Sequence, residues 1–316
     1  IAMTGTPIEN RLMDLWSIFA CIQPKLLGDQ KDFIRDYAIP IEARKNQKTA
    51  ENLRKILAPF VLRREKTDPA IISDLPKCAV NNVPVKLTPL QAYLYKKAVN
   101  EYLNQIIEQE RKKGILTIRL LTDLKKICNS PSQFLKRNAE QPDSGKAVTL
   151  MKMLRTLLAE GKKVLIFTQY YQMGLKLQEW IEKAIGERPE FLNGSMLLNA
   201  RSSLIKRFQQ EENRKILLIS LKAGGVGLNL TAASVVIHYD LWWNPAVEQQ
   251  ATDRAYRIGQ NKDVTVYRLI CEGSFEERID EVITKKRELA QNINVKTDKW
   301  LGELTPQELE EFFKLI

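Results

Sequence analysis

"KILLISLKAGGVGLNL", residues 215–230, decides the fold. Lys215 to Ser220 is a short apolar run without polar alternation. That is the pattern of a strand buried on both faces of a parallel sheet. Gly224, Gly225 and Gly227 follow at once. Glycines set this close let the backbone turn sharply and point N–H groups outward, toward a phosphate for instance. A tight strand-to-helix connection would look the same, so the loop alone assigns no ligand. The loop lacks the G-x-G-x-x-G spacing of a dinucleotide site. A P-loop is excluded too, because Gly145-Lys146 runs into Ala147 and Gly161-Lys162 into Lys163, and no G-K-[ST] occurs in the chain.

The same alternation extends to both sides. Upstream, the periodicity predicts a helix over 146–160, the strand "KVLIFT" (163–168), a helix over 171–185, the short strand "EFLNG" (190–194) and a helix over 197–211. Downstream come the strand "SVVIHYD" (234–240), the helix "AVEQQATDRAYR" (246–257), the strand "VTVYRLI" (264–270) and the helix "SFEERIDEVITKKRELAQ" (274–291). Short apolar strands alternating with helices make an α/β, doubly wound, mostly parallel sheet. Further toward the start lie a helix over 9–22 and short helical pieces over 24–76 broken by Pro and Gly. A strand over 79–87, a long helix capped by Thr88 with Pro89 at its first position, and a helix over 115–128 come next. A tail helix covers "TPQELEEFFKLI" (305–316).

In such a sheet, ligands bind beyond the carboxyl ends of the strands. Three exits carry small polar, glycine or aromatic residues: Thr168-Gln169, Ser220 with its glycine loop, and Asp240 leading into "DLWWNP". Trp242 reads equally as a buried packing residue and as part of a nucleic-acid contact.

The 316 residues suffice for one large or two ordinary domains. Lys and Arg number 49 against 38 acidic residues, a net charge of +11, which favours a polyanionic partner and nucleic acid before a membrane. No apolar run approaches the ~20 residues of a membrane span, and no secretory signal opens the chain. Cys21, Cys78, Cys128 and Cys271 are scattered, and with the single His238 their spacing gives no zinc motif. Reduced, buried thiols are expected. The opening "IAMTGTPIENRLMDLWSIF" reads as a cut through a longer protein.

One stretch needs an anion. "QATDRAYRIGQ" (250–260) places Arg254 and Arg257 three residues apart, roughly 60° around a helix. Like charges that close repel unless something negative lies between them.

The motifs together resemble those of the Swi/Snf-type DNA translocases of helicase superfamily two. "TGTPIEN" (4–10) is similar to the third motif. "FVLRREK" (60–66) is similar to the segment joining two RecA-like motor lobes. "VLIFTQY", "LNGSMLLNAR", "AGGVGLNL", "DLWWNP" and "QATDRAYRIGQ" follow in the order of the second lobe. Tyr256 stands where the family usually has His.

The resemblance implies that Arg254 and Arg257 are arginine fingers facing ATP bound by the first lobe, with Asp253 orienting the pair. Gly225, Gly227 and Gln260 complete the nucleotide side. Gln169, Gly194, Ser195, Arg201, Ser220, Lys222, Trp243 and Asn244 grip a double-stranded DNA backbone. Residues 1–22 would close the first lobe, 23–75 form a helical insertion and linker, and 76–294 the second lobe with a protrusion at about 88–140. Residues 295–316 would form the tail. ATP and Mg2+ would serve the full-length protein, whose location would be the cytoplasm and nucleoid, or a nucleus. The basic clusters 111–113 and 124–126 read as solvated faces.

With no Walker A lysine and no DExx box, the chain is expected to be inactive as an ATPase alone. The alternatives are a lobe of a strand-separating helicase and a binding module that kept the fold.

Overall fold

The computed structural model describes residues 1–3, 8, 11–44, 46–62, 75–220, 228–242, 244–289 and 304–316. The chain divides into two compact units, residues 1–74 with 287–296, and residues 75–286 with 297–316. "TGTPIEN" and most of "FVLRREK" lie largely outside the described residues, as do Lys222, Gly224, Gly225, Gly227 and Trp243.

The smaller unit is helical. Helix α1 (Leu12–Ile22), α2 (Gln30–Phe33), a π-helical stretch (Ile34–Ala43) and α3 (Gln47–Leu57) bury Leu15, Phe19, Phe33, Ile41 and Leu53 against one another. Pro40 lies inside the π-helical stretch. It has no N–H to donate, which disfavours regular α-helical pairing there.

The larger unit is built on six parallel strands: β1 (Cys78–Val85), β2 (Val164–Thr168), β3 (Glu190–Leu192), β4 (Ile216–Ser220), β5 (Val235–His238) and β6 (Val264–Cys271). Their order across the sheet is β1-β6-β5-β2-β4-β3. Every residue of β2, β4 and β5 is buried, which is why these segments read as unbroken apolar runs. Pro84 sits in β1, at an edge, where a missing ladder donor costs little.

Alternate side chains of the central strands feed two cores. Val164, Ile166, Ile216, Leu218 and Ile237 pack on one face with α7 (Gly145–Ala159) and α8 (Tyr171–Ile185). Leu165, Phe167, Leu217, Ile219 and Val236 pack on the other with α9 (Leu198–Gln210) and α10 (Pro245–Thr252).

A third core lies off the sheet. Helices α4 (Pro89–Glu108), α5 (Lys113–Asn129), α11 (Phe275–Leu289) and α12 (Pro306–Phe313) share it. Between α5 and α7 runs the short α6 (Pro131–Phe134). Gln91 fixes the α4–α5 pair to the start of α7. Its buried amide donates to the carbonyls of Ile127 and Cys128 and accepts from the N–H groups of Thr88 and Gly145. A Cβ on Gly145 would collide with the Lys86 carbonyl, so only glycine lets α7 start this close to β1. The last residue, Ile316, donates its N–H to the carbonyl of Gly273, whose φ of +65° suits glycine. Among the described residues no helix is long and apolar enough to cross a membrane.

Candidate functional site

The chain leaves β2 for α8 and later crosses from β4, on one side of β2, to β5 on the other. The exits of these three strands therefore flank the point where the winding reverses, the usual ligand position in such sheets.

Asp240 ties two of the exits together. Its buried carboxylate accepts from Thr168 Oγ1 at 2.6 Å, from the Gln169 N–H at 2.8 Å and from Asn129 Nδ2 at 3.2 Å. Burial raises its pKa, opposed by the hydrogen bonds from Thr168 and Gln169 and by the charges of Lys146 and Lys125. Gln169 is half-buried and donates its side-chain amide to the Leu241 carbonyl at 2.6 Å. Asn244 spends its side-chain oxygen on the Ala246 N–H at 3.0 Å, capping α10, with Pro245 at the first helical position. Its oxygen thus has a local structural task.

Glu248, which nothing in its sequence neighbourhood singles out, is also buried here. One oxygen accepts from the Trp242 N–H at 2.8 Å, the other from Arg268 Nε at 3.0 Å. Arg268 also pairs with Asp280 at 2.6 Å. Burial opposes the Arg268 charge, yet the two carboxylates outweigh it and its pKa is raised. Trp242 itself is half-buried and packs on the α9–α10 side of the sheet. His238 is a core residue, stacked on Phe167 and 3.2 Å from Thr252 Oγ1, and burial lowers its pKa.

Helix α10 ends at Thr252, not at Arg257 as the periodicity predicts. The N–H groups of Arg254, Ala255 and Tyr256 bond back to Ala251 and Thr252 in successive turns. The arginines therefore stand on a turn beyond the helix. That turn is fastened to the end of the glycine loop, because the Arg254 carbonyl accepts from the Leu230 N–H at 2.9 Å and Arg257 Nη1 donates to the Leu228 carbonyl at 3.4 Å.

Arg254 is only 7% exposed, and its Nε has no hydrogen-bond partner among the described residues. Burial lowers its pKa, then the charge of Arg257, with Asp253 opposing and Arg201 adding. Arg201, expected on the duplex side, is thus within electrostatic reach of Arg254. Its own Nη2 is buried without a partner among the described residues. Asp253 accepts from Gln249 at 3.1 Å. Arg257 is exposed. Arg201 and Arg257 both act on Arg254 as like charges, Asp253 offsets part of that, and Arg254 is largely cut off from screening water, so an anion here would be stabilised.

Gln260, expected on the nucleotide side, also has a structural task. It is buried, its amide donates to the carbonyls of Ala233 and Ala255, and its oxygen accepts from the Lys262 N–H. These bonds hold the turn after Arg257 against the approach to β5. Gly194 and Ser195 are exposed beyond β3, with Ser195 bonded to Asn193 through N–H and hydroxyl. Ser220 is buried at the end of β4. The cluster 124–126 is not a solvated basic face: Lys125 is buried, and Lys126 pairs with Asp123 at 2.9 Å.

Comparison with known proteins agrees with this architecture. The SNF2-related domain matches residues 1–133, and the helicase conserved C-terminal domain matches residues 145–259. YwqA of Bacillus subtilis, designated an ATP-dependent helicase/translocase, is 43% identical over 321 residues, covering 100% of this chain and 34% of that protein. The DNA repair and recombination protein RAD26 of Saccharomyces cerevisiae is 35% identical, covering 88% of this chain and 27% of that protein. The chain spans about a third of the length of the curated relatives it matches first.

Two solved Sulfolobus solfataricus structures match closely. The SWI2/SNF2 ATPase core in complex with dsDNA superposes with a TM-score of 0.69 at 40% identity, over 100% of this chain and 67% of that one. The SWI2/SNF2 ATPase C-terminal domain does so with a TM-score of 0.65 at 36% identity, over 76% of this chain and all of that one. Motif order, an all-parallel RecA-like sheet and these matches lead to one family: the chain belongs to the SWI2/SNF2 ATPases.

Proposed function

We propose that this chain is the second motor lobe, with the closing segment of the first, of an ATP-dependent double-stranded DNA translocase. The turn carrying Arg254 and Arg257, fastened to the end of the glycine loop through Leu228 and Leu230 and with Arg201 in electrostatic reach, supports this most. A desolvated guanidinium with an unspent N–H fits a phosphate. Arg254 and Arg257 would meet the γ-phosphate of ATP held, with Mg2+, mainly by a first RecA-like lobe. ATP supplies the phosphoryl group that is hydrolysed. The arginines neutralise charge spreading over its oxygens in the transition state, inside a cleft that excludes water. Asp253 keeps the pair charged and oriented, and Gly225 and Gly227 let the loop approach the nucleotide.

The duplex side of the same edge comprises Gln169, Gly194, Ser195, Ser220, Lys222, Trp243 and Asn244. The S. solfataricus core, solved with dsDNA, supports a duplex as the partner. Contacts to phosphates carry no sequence information.

Two outcomes follow for the isolated chain. It binds duplex DNA without sequence preference, and log affinity falls with log salt at a slope of about −0.9 per phosphate contacted. Fluorescence anisotropy on unrelated duplexes across a salt series measures both, and a salt-independent affinity contradicts the reading. It does not turn over ATP, because no G-K-[ST] loop holds the phosphates. Adding the first lobe restores DNA-stimulated hydrolysis. Sustained turnover by the purified chain sinks this assignment, and strand separation by the two-lobed protein would instead favour a helicase.

A further inference from the structure

Helix α5 reaches into the candidate site with two side chains four residues apart, and so on one face of the helix. Asn129 donates to the Asp240 carboxylate at 3.2 Å, and Lys125 donates its ammonium to the Leu241 carbonyl at 3.0 Å. Adjacent residues of the β5 exit are thus held by adjacent turns of one helix. Lys125 is 5% exposed. The charged groups facing it come from every neighbouring element: Asp240 at the exit, Glu276 on α11, Lys146 on α7 and Glu248 on α10.

Burying an ammonium there is costly, and desolvation lowers the Lys125 pKa to about 8 despite three carboxylates. An apolar residue would pack without that cost, so the position calls for what only a charged donor gives. The Leu241 carbonyl receives it, together with the Gln169 amide at 2.6 Å. A peptide oxygen held by two donors, one of them ionic, fixes the plane of the peptide from which the chain enters Trp242.

We propose that Lys125 is a positioning residue: from the helical protrusion it sets the direction of the β5 exit, and through that exit the grip on the duplex. The second half of this statement rests on the reading of the exit as duplex-facing.

The test replaces Lys125 with Met in this chain and follows two readouts. Amide hydrogen exchange at residues 240–247 accelerates by about tenfold or more, while the amides of β2 and β4 keep their protection. Duplex affinity at fixed salt falls by about tenfold. Exchange at the exit that is unchanged, or that rises only in step with β2 and β4, overturns the proposal, because Lys125 would then serve general packing. Faster exchange at the exit with unaltered duplex affinity overturns the duplex-facing reading and leaves the positioning of the exit standing. If Lys125→Met does not fold, Lys125→Gln is measured the same way. Its shorter side chain keeps polarity but cannot span to Leu241, so exit amides that exchange as in the unsubstituted chain refute the role.

Discussion

In the two-lobed protein, Arg257→Ala lowers DNA-stimulated ATP hydrolysis by about 10³–10⁵-fold while duplex affinity stays close to that of the unsubstituted protein. Arg257 suits this test better than Arg254. It is exposed, and its hydrogen bond to the Leu228 carbonyl is a long one, 3.4 Å. Its truncation therefore disturbs little of the fold. Arg254 is buried, and its segment holds Leu230, so Arg254→Ala mixes lost charge with a loosened loop. A group that acts on charge developing in the transition state affects kcat, while ground-state nucleotide binding weakens only modestly. Steady-state hydrolysis at saturating DNA, with nucleotide affinity measured separately, resolves the two. Near-normal turnover would place the catalytic cation elsewhere, with Arg201 next in line because it already acts on Arg254 electrostatically.

Much of the sheet was legible because its central strands are buried on both faces. "VLIFT", "ILLIS" and "VVIH" cannot be amphipathic helices of that length, and glycine or polar residues bound each run. Helix α8 matches its expected span, 171–185, since Met173, Leu177, Trp180 and Ile181 form one apolar stripe that ends at Gly186 in a left-handed cap.

The end of α10 was not legible. Ala251 and Ala255 continue the helical spacing and both are buried, so the periodicity runs straight through the break. What ends the helix is remote: the Arg254 carbonyl is taken by Leu230, and Thr252 faces His238. Lys125 misled for the same reason. Within "LKK" it looks like a solvated charge, and its burial depends on Leu241 and Asp240, more than a hundred residues later. The site residues Gln260 and Asn244 show a third limit. A motif gives the residue type at a position, whereas the atoms that a side chain has left to offer depend on which backbone groups it already satisfies.

The second large effect is on stability. Lys146→Met lowers the free energy of unfolding by about 3–5 kcal/mol, measured by urea denaturation. The Lys146 ammonium and the Glu276 carboxylate meet at 2.7 Å, with the lysine side chain wholly inaccessible and the glutamate nearly so. The second carboxylate oxygen accepts from the Cys271 N–H at 3.0 Å. Removing the lysine leaves a buried carboxylate facing Cys128 and Cys271, whose sulfur atoms and the carboxylate oxygen lie within 4.8 Å of one another. Burial already pushes the Cys271 thiol well above its usual range, so it stays neutral beside that carboxylate.

That spacing resembles a metal site, but the lysine occupies the carboxylate as its cation. Burial opposes the Lys146 charge, Glu276 chief among the groups that outweigh it, and the pKa is raised above 10.5. The contribution of the pair is therefore fully present below that value and fades only as pH rises through the folded-state pKa. The loss in Lys146→Met is expected to be flat from about pH 6 to 9. Lys146→Met combined with Glu276→Gln removes both charges and keeps an acceptor for the Cys271 N–H, so it recovers most of the stability. A double variant as unstable as the single one would mean that shape, not the isolated charge, is what α7 and α11 require of each other.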